Sequence, residues 1–330
     1  MLKSTDDLDA RAVAARDWAL RQLDLAAAAF APASADASFR RYFRIEDGQR
    51  SWVLMDAPPE REDCRPFLQV AQLLHDAGLH APRVIAQDLA CGFLLLGDLG
   101  RHTYLHVIND ANADALMSDA IDALIRWQLA SRPGVLPRYD EALLQRELAL
   151  FPDWYVGRHL ERALSATQAA TLSAIDATLI ASALEQPRVY VHRDYMPRNL
   201  MLSTPNPGIL DFQDAVEGPL AYDVVSLFKD AFLSWPSERI EVWRRQYADR
   251  ARRAGLPLPD EATFVRQFDW MGVQRHLKVI GIFARINYRD GKPHYLGDVP
   301  RFIGYVREVV SCYRELTPLL RLFDELGMVA

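Results

Sequence analysis

The feature that most constrains the fold is a set of three short apolar segments inside a half that otherwise reads as helical. They cover residues 189–191, 200–202 and 209–210, and each is too short to form a helix. Turn residues such as those of 205–208 (PNPG) separate them, so the sequence predicts two or three small strands there. Because polar residues beside such strands often carry function, we expect the chemistry of the chain in this region.

The residues that follow the first of these segments form a motif. Residues 192–199 read HRDYMPRN, which is H-R-D-x-x-x-x-N, and Asp211 follows the next predicted hairpin. This pattern is typical of phosphoryl transfer, in which the loop aspartate takes or orients the proton of an acceptor hydroxyl. Asp194 is therefore the predicted catalytic base. Asn199 and Asp211 are the predicted magnesium ligands, because amide and carboxylate oxygens suit this cation.

His192 belongs to the same predicted catalytic loop, where we expect it to hold the loop in place, since the neighbouring aspartate already fits the position of the base. Positioning and charge neutralisation can supply most of the rate, so no covalent enzyme intermediate is needed. An isolated H-x-D tripeptide is weak evidence of function. Here Asn199 and Asp211 follow it at the expected spacing, the motif lies between predicted strands, and a β-rich segment precedes it in the chain. Together these features favour a kinase-like function. Metal-dependent hydrolysis stays open as an alternative.

The first 98 residues are predicted to form several antiparallel strands and one inserted helix. Thr5 can cap an earlier helix that extends to about residue 23, and Asp47 and Gly48 form the strongest hairpin signal of the chain. The predicted strands are 39–45, 52–55, 83–87 and 93–96, and the inserted helix is 65–77.

The remainder of the chain is predicted to be mainly helical. Apolar residues recur at helical spacing in 113–130, 140–162, 167–184, 221–232, 237–254, 261–285 and 300–316. The predicted fold class is therefore α+β. Two domains are expected from the length, a β-rich domain at 1–98 and a helical domain at 99–330 that contains the predicted catalytic loop.

Composition excludes several other classes of protein. Lys and Arg number 38 against 44 Asp and Glu among 330 residues, a net charge of −6, which argues against binding to nucleic acid or to an anionic membrane surface. No apolar run is long enough for a membrane span, and no signal peptide is expected. Three scattered cysteines without a CxxC pair indicate a reducing compartment, so the predicted location is the cytoplasm.

The motifs resemble those of the aminoglycoside phosphotransferase and choline kinase-like superfamily. Within it, the chain is most similar to the bacterial anomeric kinases for N-acetylmuramate and N-acetylglucosamine that act in peptidoglycan recycling. The similar segments span nearly the whole chain, from the first strands to a late helix. They are 38–44 (SFRRYFR), 53–59 (VLMDAPP), 192–201 (HRDYMPRNLM), 211–215 (DFQDA), 218–219 (GP), 222–227 (YDVVSL), 274–278 (QRHLK) and 281–285 (GIFAR).

The resemblance implies a protein-kinase-like bilobal fold, with ATP between a small antiparallel β-sheet lobe with one helix and a larger, mainly helical lobe. It implies transfer of the γ-phosphoryl group, with magnesium, to the C1 hydroxyl of a small amino sugar by a monomer. Asp223 is implied to brace the catalytic loop. The residues implied to bind nucleotide are Ser38, Phe39 and the following residues up to Arg44, over the phosphates, and Leu95, Leu96 and Gly97, in the hinge that meets adenine.

Two departures from the kinase pattern stand out. Segment 38–44 contains no glycine-rich G-x-G-x-x-G, and the strand at 52–55 contains no lysine to pair with phosphates. Arginine can grip phosphate oxygens with paired donors, so Arg40, Arg41 and Arg44 are candidates, with Arg41 and Arg44 preferred. No long activation segment follows Asp211, which favours a small-molecule acceptor over a protein substrate.

The acceptor residues are the least constrained part of the prediction. A sugar ring favours an aromatic platform with polar groups at its rim, although aromatic residues at this spacing also suit ordinary helix packing. Basic residues late in the chain suit the lactyl carboxylate of N-acetylmuramate better than a polycationic aminoglycoside. The candidates for acceptor binding are Asp214, Trp154, Tyr155, Arg275, His276 and Arg285.

The sequence thus predicts an ATP- and magnesium-dependent sugar 1-kinase. The alternatives are another small-molecule kinase of the same superfamily, acting on an aminoglycoside, choline or an amino alcohol, and a nucleotide-binding pseudokinase. The missing lysine favours the pseudokinase, whereas the joint presence of Asp194, Asn199 and Asp211 disfavours it.

Overall fold

The computed structural model describes residues 9–34 and 39–328. Their contacts divide the chain into two compact units. Unit 1 comprises Met1–Tyr104 and Asn199–Asp214, and unit 2 comprises Leu105–Arg198 and Ala215–Ala330. Segment 199–214 groups with unit 1 because its backbone bonds to that unit: the Ile209 N–H donates to the His80 carbonyl at 2.7 Å. The domains predicted from the sequence, 1–98 and 99–330, place this segment in the second domain instead. The functions expected of these two domains stay a prediction.

Unit 1 is built on a five-stranded antiparallel sheet in the order β1-β2-β3-β5-β4. Its strands are β1 (Ala29–Ser34), β2 (Arg41–Asp47), β3 (Arg50–Asp56), β4 (Val84–Asp88) and β5 (Phe93–Gly97). The Asp-Gly signal is confirmed as the β2–β3 turn, where Gly48 adopts a φ of +61°. The predicted strands and the sheet are confirmed, but β1 was missed because its sequence AFAPAS is poor in β-branched residues.

Two helices accompany this sheet. The first is α1 (Ala10–Leu23), whose N-cap is Asp9, because the Asp9 carboxylate accepts the Ala12 N–H at 2.7 Å. The predicted cap Thr5 lies outside the described residues. The second is α2 (Arg65–Asp76), which ends just before Gly78 at φ +68°, as predicted. One face of α1 packs with the sheet residues in a core of Ala12, Ala15, Trp18, Ala19, Phe30, Phe43, Ile45, Leu54, Phe93 and Leu95.

Four short strands lie in the second half of the chain, and three of them confirm the predicted ones. They are β6 (Arg188–Val191), β7 (Leu200–Met201), β8 (Gly208–Ile209) and β9 (Val216–Pro219). Within unit 1, β7 pairs with β8, and within unit 2, β6 pairs with β9. Strand β9 was missed because its residues VEGP include two strand-breaking types. Its backbone nevertheless completes the β6 ladder from Arg188–Pro219 to Val191–Val216.

Unit 2 is mainly helical, as predicted. In chain order the helices are α3 (Tyr104–Val107), α4 (Ala113–Leu129), α5 (Glu141–Leu148), α6 (Ala166–Glu185), α7 (Ala221–Phe228), α8 (Ser237–Ala254), α9 (Glu261–Asp290), α10 (Val299–Cys312) and α11 (Thr317–Glu325). Short 3₁₀ turns occur at Pro197–Asn199, Pro293–Asp298 and Arg314–Leu316. The first residue of α3 and the last residue of the turn Pro197–Asn199 belong to unit 1.

Several predicted helix limits were wrong, each for a local reason. The helix predicted at 140–162 is α only to Leu148 and becomes a π-helix at Phe151–His159, because Pro152 cannot donate to an earlier carbonyl. Helix α7 ends at Phe228 rather than at 232, because the Asp230 carboxylate accepts the N–H groups of Phe232 and Leu233 instead.

The long helix α9 lies against the π-helix through a glycine. A Cβ built on Gly281 would be 2.3 Å from the carbonyl carbon of Leu150, so only glycine permits this approach. The residues Gln274, Lys278, Gly281 and Arg285 recur at steps of four, three and four and therefore share one face of α9. That face packs toward α5 and the π-helix.

Candidate active site

In unit 1, the β7–β8 hairpin brings Asn199 and Asp211 together. The N–H of Leu210 donates to the carbonyl of Asn199 at 2.9 Å, which places the next residue, Asp211, beside Asn199. Asn199 is buried, and Asp211 adopts a φ of +61°, a left-handed conformation that aspartate tolerates better than most residues. The two predicted magnesium ligands are therefore neighbours on a hydrogen-bonded backbone.

Arg40 is the arginine of segment 38–44 that lies beside this pair. Its Nη2 is 3.8 Å from Oδ1 of Asp211, and its side chain is 11% exposed. Burial opposes the charge, but Tyr42 and Asp211 outweigh it and raise the pKa of Arg40. A permanently charged guanidinium thus lies next to the predicted metal ligands.

Arg41 and Arg44, the arginines preferred from the sequence, have carboxylate partners of their own. Arg41 donates to the fully buried Asp56 at 2.5 Å and also to Asp9. Arg44 donates to Asp98 at 2.6 Å and to the carbonyl of Gly100 at 2.7 Å. The sequence showed that three arginines were available, but it could not show which carboxylate lies beside each of them. Their predicted contact with nucleotide stays a prediction.

The other predicted nucleotide-binding residues lie at one end of the sheet or within it. Ser38 lies outside the described residues. Phe39 is 58% exposed, and the guanidinium of Arg61 lies 4.7 Å from the centre of its ring. Leu95 and Leu96 are buried in β5, and the N–H of Gly97 donates to the Arg83 carbonyl at 2.8 Å. Their role as a hinge for adenine stays a prediction.

In unit 2, the catalytic loop is held by one buried carboxylate. Asp223, which is completely buried at the start of α7, accepts the backbone N–H groups of His192 at 2.6 Å and Arg193 at 3.0 Å. Burial raises the pKa of Asp223 to about 7, although these two bonds act in the opposite direction. The loop therefore leaves β6 in a defined direction just before Asp194, in line with the bracing implied for Asp223.

His192 is placed to support the loop from within. It is 1% exposed, and its Nδ1 is 3.3 Å from the backbone N–H of Asp194. Its ring packs edge-on against Tyr195, whose hydroxyl donates to the Ala120 carbonyl at 2.9 Å. These contacts fit the supporting function predicted for His192 and leave the carboxylate of Asp194 as the candidate base.

The side chain of the loop residue Arg193 enters a buried polar group that we call the Glu147 cluster. The Glu147 carboxylate accepts hydrogen bonds from Arg193 and from the Tyr139 hydroxyl, and Lys278 lies 2.8 Å away. Burial would raise the pKa of Glu147, but Lys278 and Arg193 lower it to about 2. Glu147 was missed from the sequence, since it lies in an ordinary amphipathic helix with no motif around it.

Three of the acceptor candidates lie on the π-helix and on the face of α9 that packs toward it. Tyr155 is buried and stacks on Phe151 with 6.0 Å between ring centroids, whereas Trp154 is half-buried. Arg285 is also half-buried, and burial lowers its pKa. Its Nε has no hydrogen-bond partner among the residues that the structure describes.

The remaining acceptor candidates differ in exposure. Arg275 is 2% exposed, with Nη1 3.5 Å from the Lys229 carbonyl, and His276 is completely buried with its ring stacked on Tyr305. Burial, with Arg275 and Lys229 nearby, keeps the pKa of His276 well below its usual value, so this imidazole is neutral. Asp214 is exposed, next to the metal-ligand hairpin. Contact of these residues with an acceptor stays a prediction.

The donor set of the hairpin fits magnesium. One amide and one carboxylate leave room for water and phosphate oxygens, which this cation prefers to a cage made only of protein ligands. No group of three or more His, Cys, Asp or Glu side chains suited to a metal occurs within residues 9–34 and 39–328. No helix in the same two ranges is long and apolar enough to cross a membrane.

Most of the sequence matches a known protein family. Residues 29–262 match the phosphotransferase enzyme family (APH), which covers both the β2–β3 hairpin and the catalytic loop. The chain belongs to the phosphotransferase enzyme family. Its antiparallel sheet, its mainly helical remainder and the motif of residues 192–199 are accordingly those of a phosphotransferase.

Curated members of this phosphotransferase family are similar over almost their whole length. The N-acetylmuramate/N-acetylglucosamine kinase of Pseudomonas aeruginosa is 60% identical, over 89% of this chain and 88% of its own length. The protein of the same name from Neisseria meningitidis serogroup B is 48% identical, over 89% of each chain.

Solved structures with much lower sequence identity share the fold of this phosphotransferase. The aminoglycoside phosphotransferase APH(2'')-Ib, solved with ADP bound, gives a TM-score of 0.62 at 15% identity and covers 92% of this chain and 99% of its own. The choline kinase LicA of Streptococcus pneumoniae gives 0.63 at 12% identity, over 90% and 98% of the two chains. The predicted α+β, kinase-like fold class is confirmed.

Proposed function

We propose that this phosphotransferase is an ATP- and magnesium-dependent sugar 1-kinase that phosphorylates the anomeric hydroxyl of N-acetylmuramate, N-acetylglucosamine or both. The observation that carries the substrate class is the 60% identity to a kinase named for these two sugars. The Asp194 loop, braced by Asp223, supports the reaction type.

Each of these residues has a separate role in the proposed reaction. The C1 hydroxyl oxygen of the sugar forms a bond to the γ-phosphorus of ATP, the bond from that phosphorus to the bridging oxygen breaks, and ADP leaves. The Asp194 carboxylate takes the hydroxyl proton. Asn199 and Asp211 would hold magnesium, which supplies positive charge to the phosphate oxygens when bound.

Arg40 takes the place of the missing lysine in this proposal. It is the arginine beside Asp211, whereas Arg41 and Arg44 are held by the carboxylates of Asp56 and Asp98. Its guanidinium lies beside the residues that would hold magnesium, where it would add a positive charge for the phosphates.

Arg285 is the proposed partner of the lactyl carboxylate that distinguishes N-acetylmuramate from N-acetylglucosamine. It shares a face of α9 with Lys278, two turns or about 10 Å along the helix axis. Its Nε lacks a hydrogen-bond partner among the described residues, and a half-buried guanidinium in that state favours an anion. Trp154 on the adjoining π-helix would supply the apolar surface for the ring.

The setting of the reaction is proposed on chemical grounds. The two exposed cysteines and the buried one are free thiols, which suits the reducing cytoplasm where ATP is available. A monomer carries the complete set of proposed residues. The product, an amino-sugar 1-phosphate, would re-enter the supply of precursors for peptidoglycan.

The test of this function is ADP release with ATP and magnesium across a panel of acceptors. We expect turnover with N-acetylmuramate or N-acetylglucosamine, and a C1 phosphate in the phosphorus NMR spectrum of the product. The Asp194→Asn variant should bind ATP normally but lose turnover, because its amide cannot take the proton. Turnover only with kanamycin or choline would contradict the sugar assignment, and ATP binding without any turnover would indicate a pseudokinase.

Arg40→Ala should weaken the use of ATP. Loss of one charge-assisted contact with phosphate predicts a rise in the KM for ATP of about tenfold or more, with little change in the KM for the sugar. Arg44→Ala is the matched control, since Arg44 already binds Asp98. An equal rise in both variants would remove the special role of Arg40.

Arg285→Gln should change the preference between the two sugars. The KM for N-acetylmuramate is expected to rise about tenfold or more, because a charge-assisted bond to its carboxylate is lost, while N-acetylglucosamine should be used as before. The measurement is kcat/KM for both sugars with each protein. A parallel loss for both would show that Arg285 supports the fold and does not recognise the carboxylate.

A further inference from the structure

The Glu147 cluster lies beneath the catalytic loop, and the phosphoryl-transfer motif does not include its central residue. Glu147 belongs to α5 and is 5% exposed. Its Oε1 accepts a hydrogen bond from Nη2 of Arg193 and lies 2.8 Å from Nζ of Lys278. Its Oε2 accepts from the Tyr139 hydroxyl and, at 3.4 Å, from Nε2 of Gln274. Four side chains from α9, the loop and the segment before α5 thus meet on one carboxylate.

The charges of this cluster do not cancel. Glu147 contributes one negative charge, and Lys278 and Arg193 contribute two positive ones, so the buried group carries a net charge of +1. Burial opposes the charge of Lys278, but Tyr222 and Glu147 keep its pKa above the usual value, and Asp194 acts in the same direction. The candidate base is therefore close enough to this cluster to interact with its charge.

Arg193 connects the cluster to the backbone on which Asp194 depends. Its φ of +75° is a left-handed conformation that non-glycine residues adopt only when their surroundings hold them there. Two contacts do so. Asp223 accepts the Arg193 N–H at 3.0 Å, and Glu147 holds the guanidinium at the other end of the residue.

We propose that Glu147 is a positioning residue for phosphoryl transfer, since it anchors the Arg193 side chain and thereby fixes the left-handed backbone that orients the Asp194 carboxylate. Lys278, Tyr139 and Gln274 hold Glu147 in the orientation that this requires. The inference builds on the function proposed above, but it concerns the geometry of the base and does not depend on which sugar is the acceptor.

The first variant is Glu147→Gln, which keeps the shape of the side chain and removes its charge. A small displacement of the base predicts a fall in kcat of the order of 10²-fold, with the KM values for ATP and acceptor nearly unchanged. Rates are expressed per ATP-binding site, so that unfolded protein does not count as lost catalysis. Glu217→Gln is the matched control: Glu217 is also buried beside an arginine, Arg188, and should keep its kcat.

A double-mutant cycle separates positioning from stability. Arg193→Gly removes the guanidinium and makes the left-handed backbone unstrained, so adding Glu147→Gln to it should leave kcat as it is in the Arg193→Gly variant. An equal loss of kcat in both backgrounds would overturn the proposal, because the effect of Glu147 would then not pass through Arg193.

A second double variant covers the case in which Glu147→Gln does not fold. Glu147→Gln with Lys278→Met restores the net charge of +1 but offers the Arg193 guanidinium an uncharged amide oxygen in place of the carboxylate, so kcat should stay low. Recovery of kcat in this variant would show that only charge balance matters and would overturn the proposal. Rates are measured with whichever acceptor the wild type uses, or with water if it uses none, so failure of the sugar assignment changes the acceptor and not these ratios.

Discussion

The catalytic loop of unit 2 depends on one buried interaction, the acceptance of two successive backbone N–H groups by the Asp223 carboxylate. A buried carboxylate is costly unless its oxygens are occupied, and the backbone N–H groups of His192 and Arg193 occupy both of them. The bonds fix the direction in which the chain leaves β6. The position of Asp194 is thereby set by the backbone of the two residues that precede it.

A different constraint positions the candidate metal ligands in unit 1. The bond from Leu210 to Asn199 closes the β7–β8 hairpin, and Asp211 follows it in a left-handed conformation. Asp194 therefore follows a loop that is bonded to Asp223, whereas Asp211 follows a hairpin. These separate supports are consistent with different roles for the two carboxylates. Positioning and charge neutralisation of this kind can supply most of the rate of phosphoryl transfer without a covalent enzyme intermediate.

The sequence predicted what depends on local pattern and missed what depends on distant partners. The Asp-Gly turn, the short strands around the motif and most helices follow from neighbouring residues. Strand β1 lacks a β-rich sequence, and the π-helix arises where Pro152 interrupts a helical pattern. The pairing of Arg44 with Asp98, and of Glu147 with Lys278, joins residues 54 and 131 positions apart, which no spacing rule reveals. For that reason the sequence identified the arginines but not the one beside Asp211.

In the proposed reaction, Asp211 holds the metal and Asp194 takes the proton. Mn²⁺ binding, followed by electron paramagnetic resonance in the presence of a non-hydrolysable ATP analogue, tests this division of roles. We expect Asp211→Asn to weaken Mn²⁺ binding to the nucleotide complex by about tenfold or more, and Asp194→Asn to leave it unchanged. Equal weakening in the two variants, or none in Asp211→Asn, would contradict this division of roles.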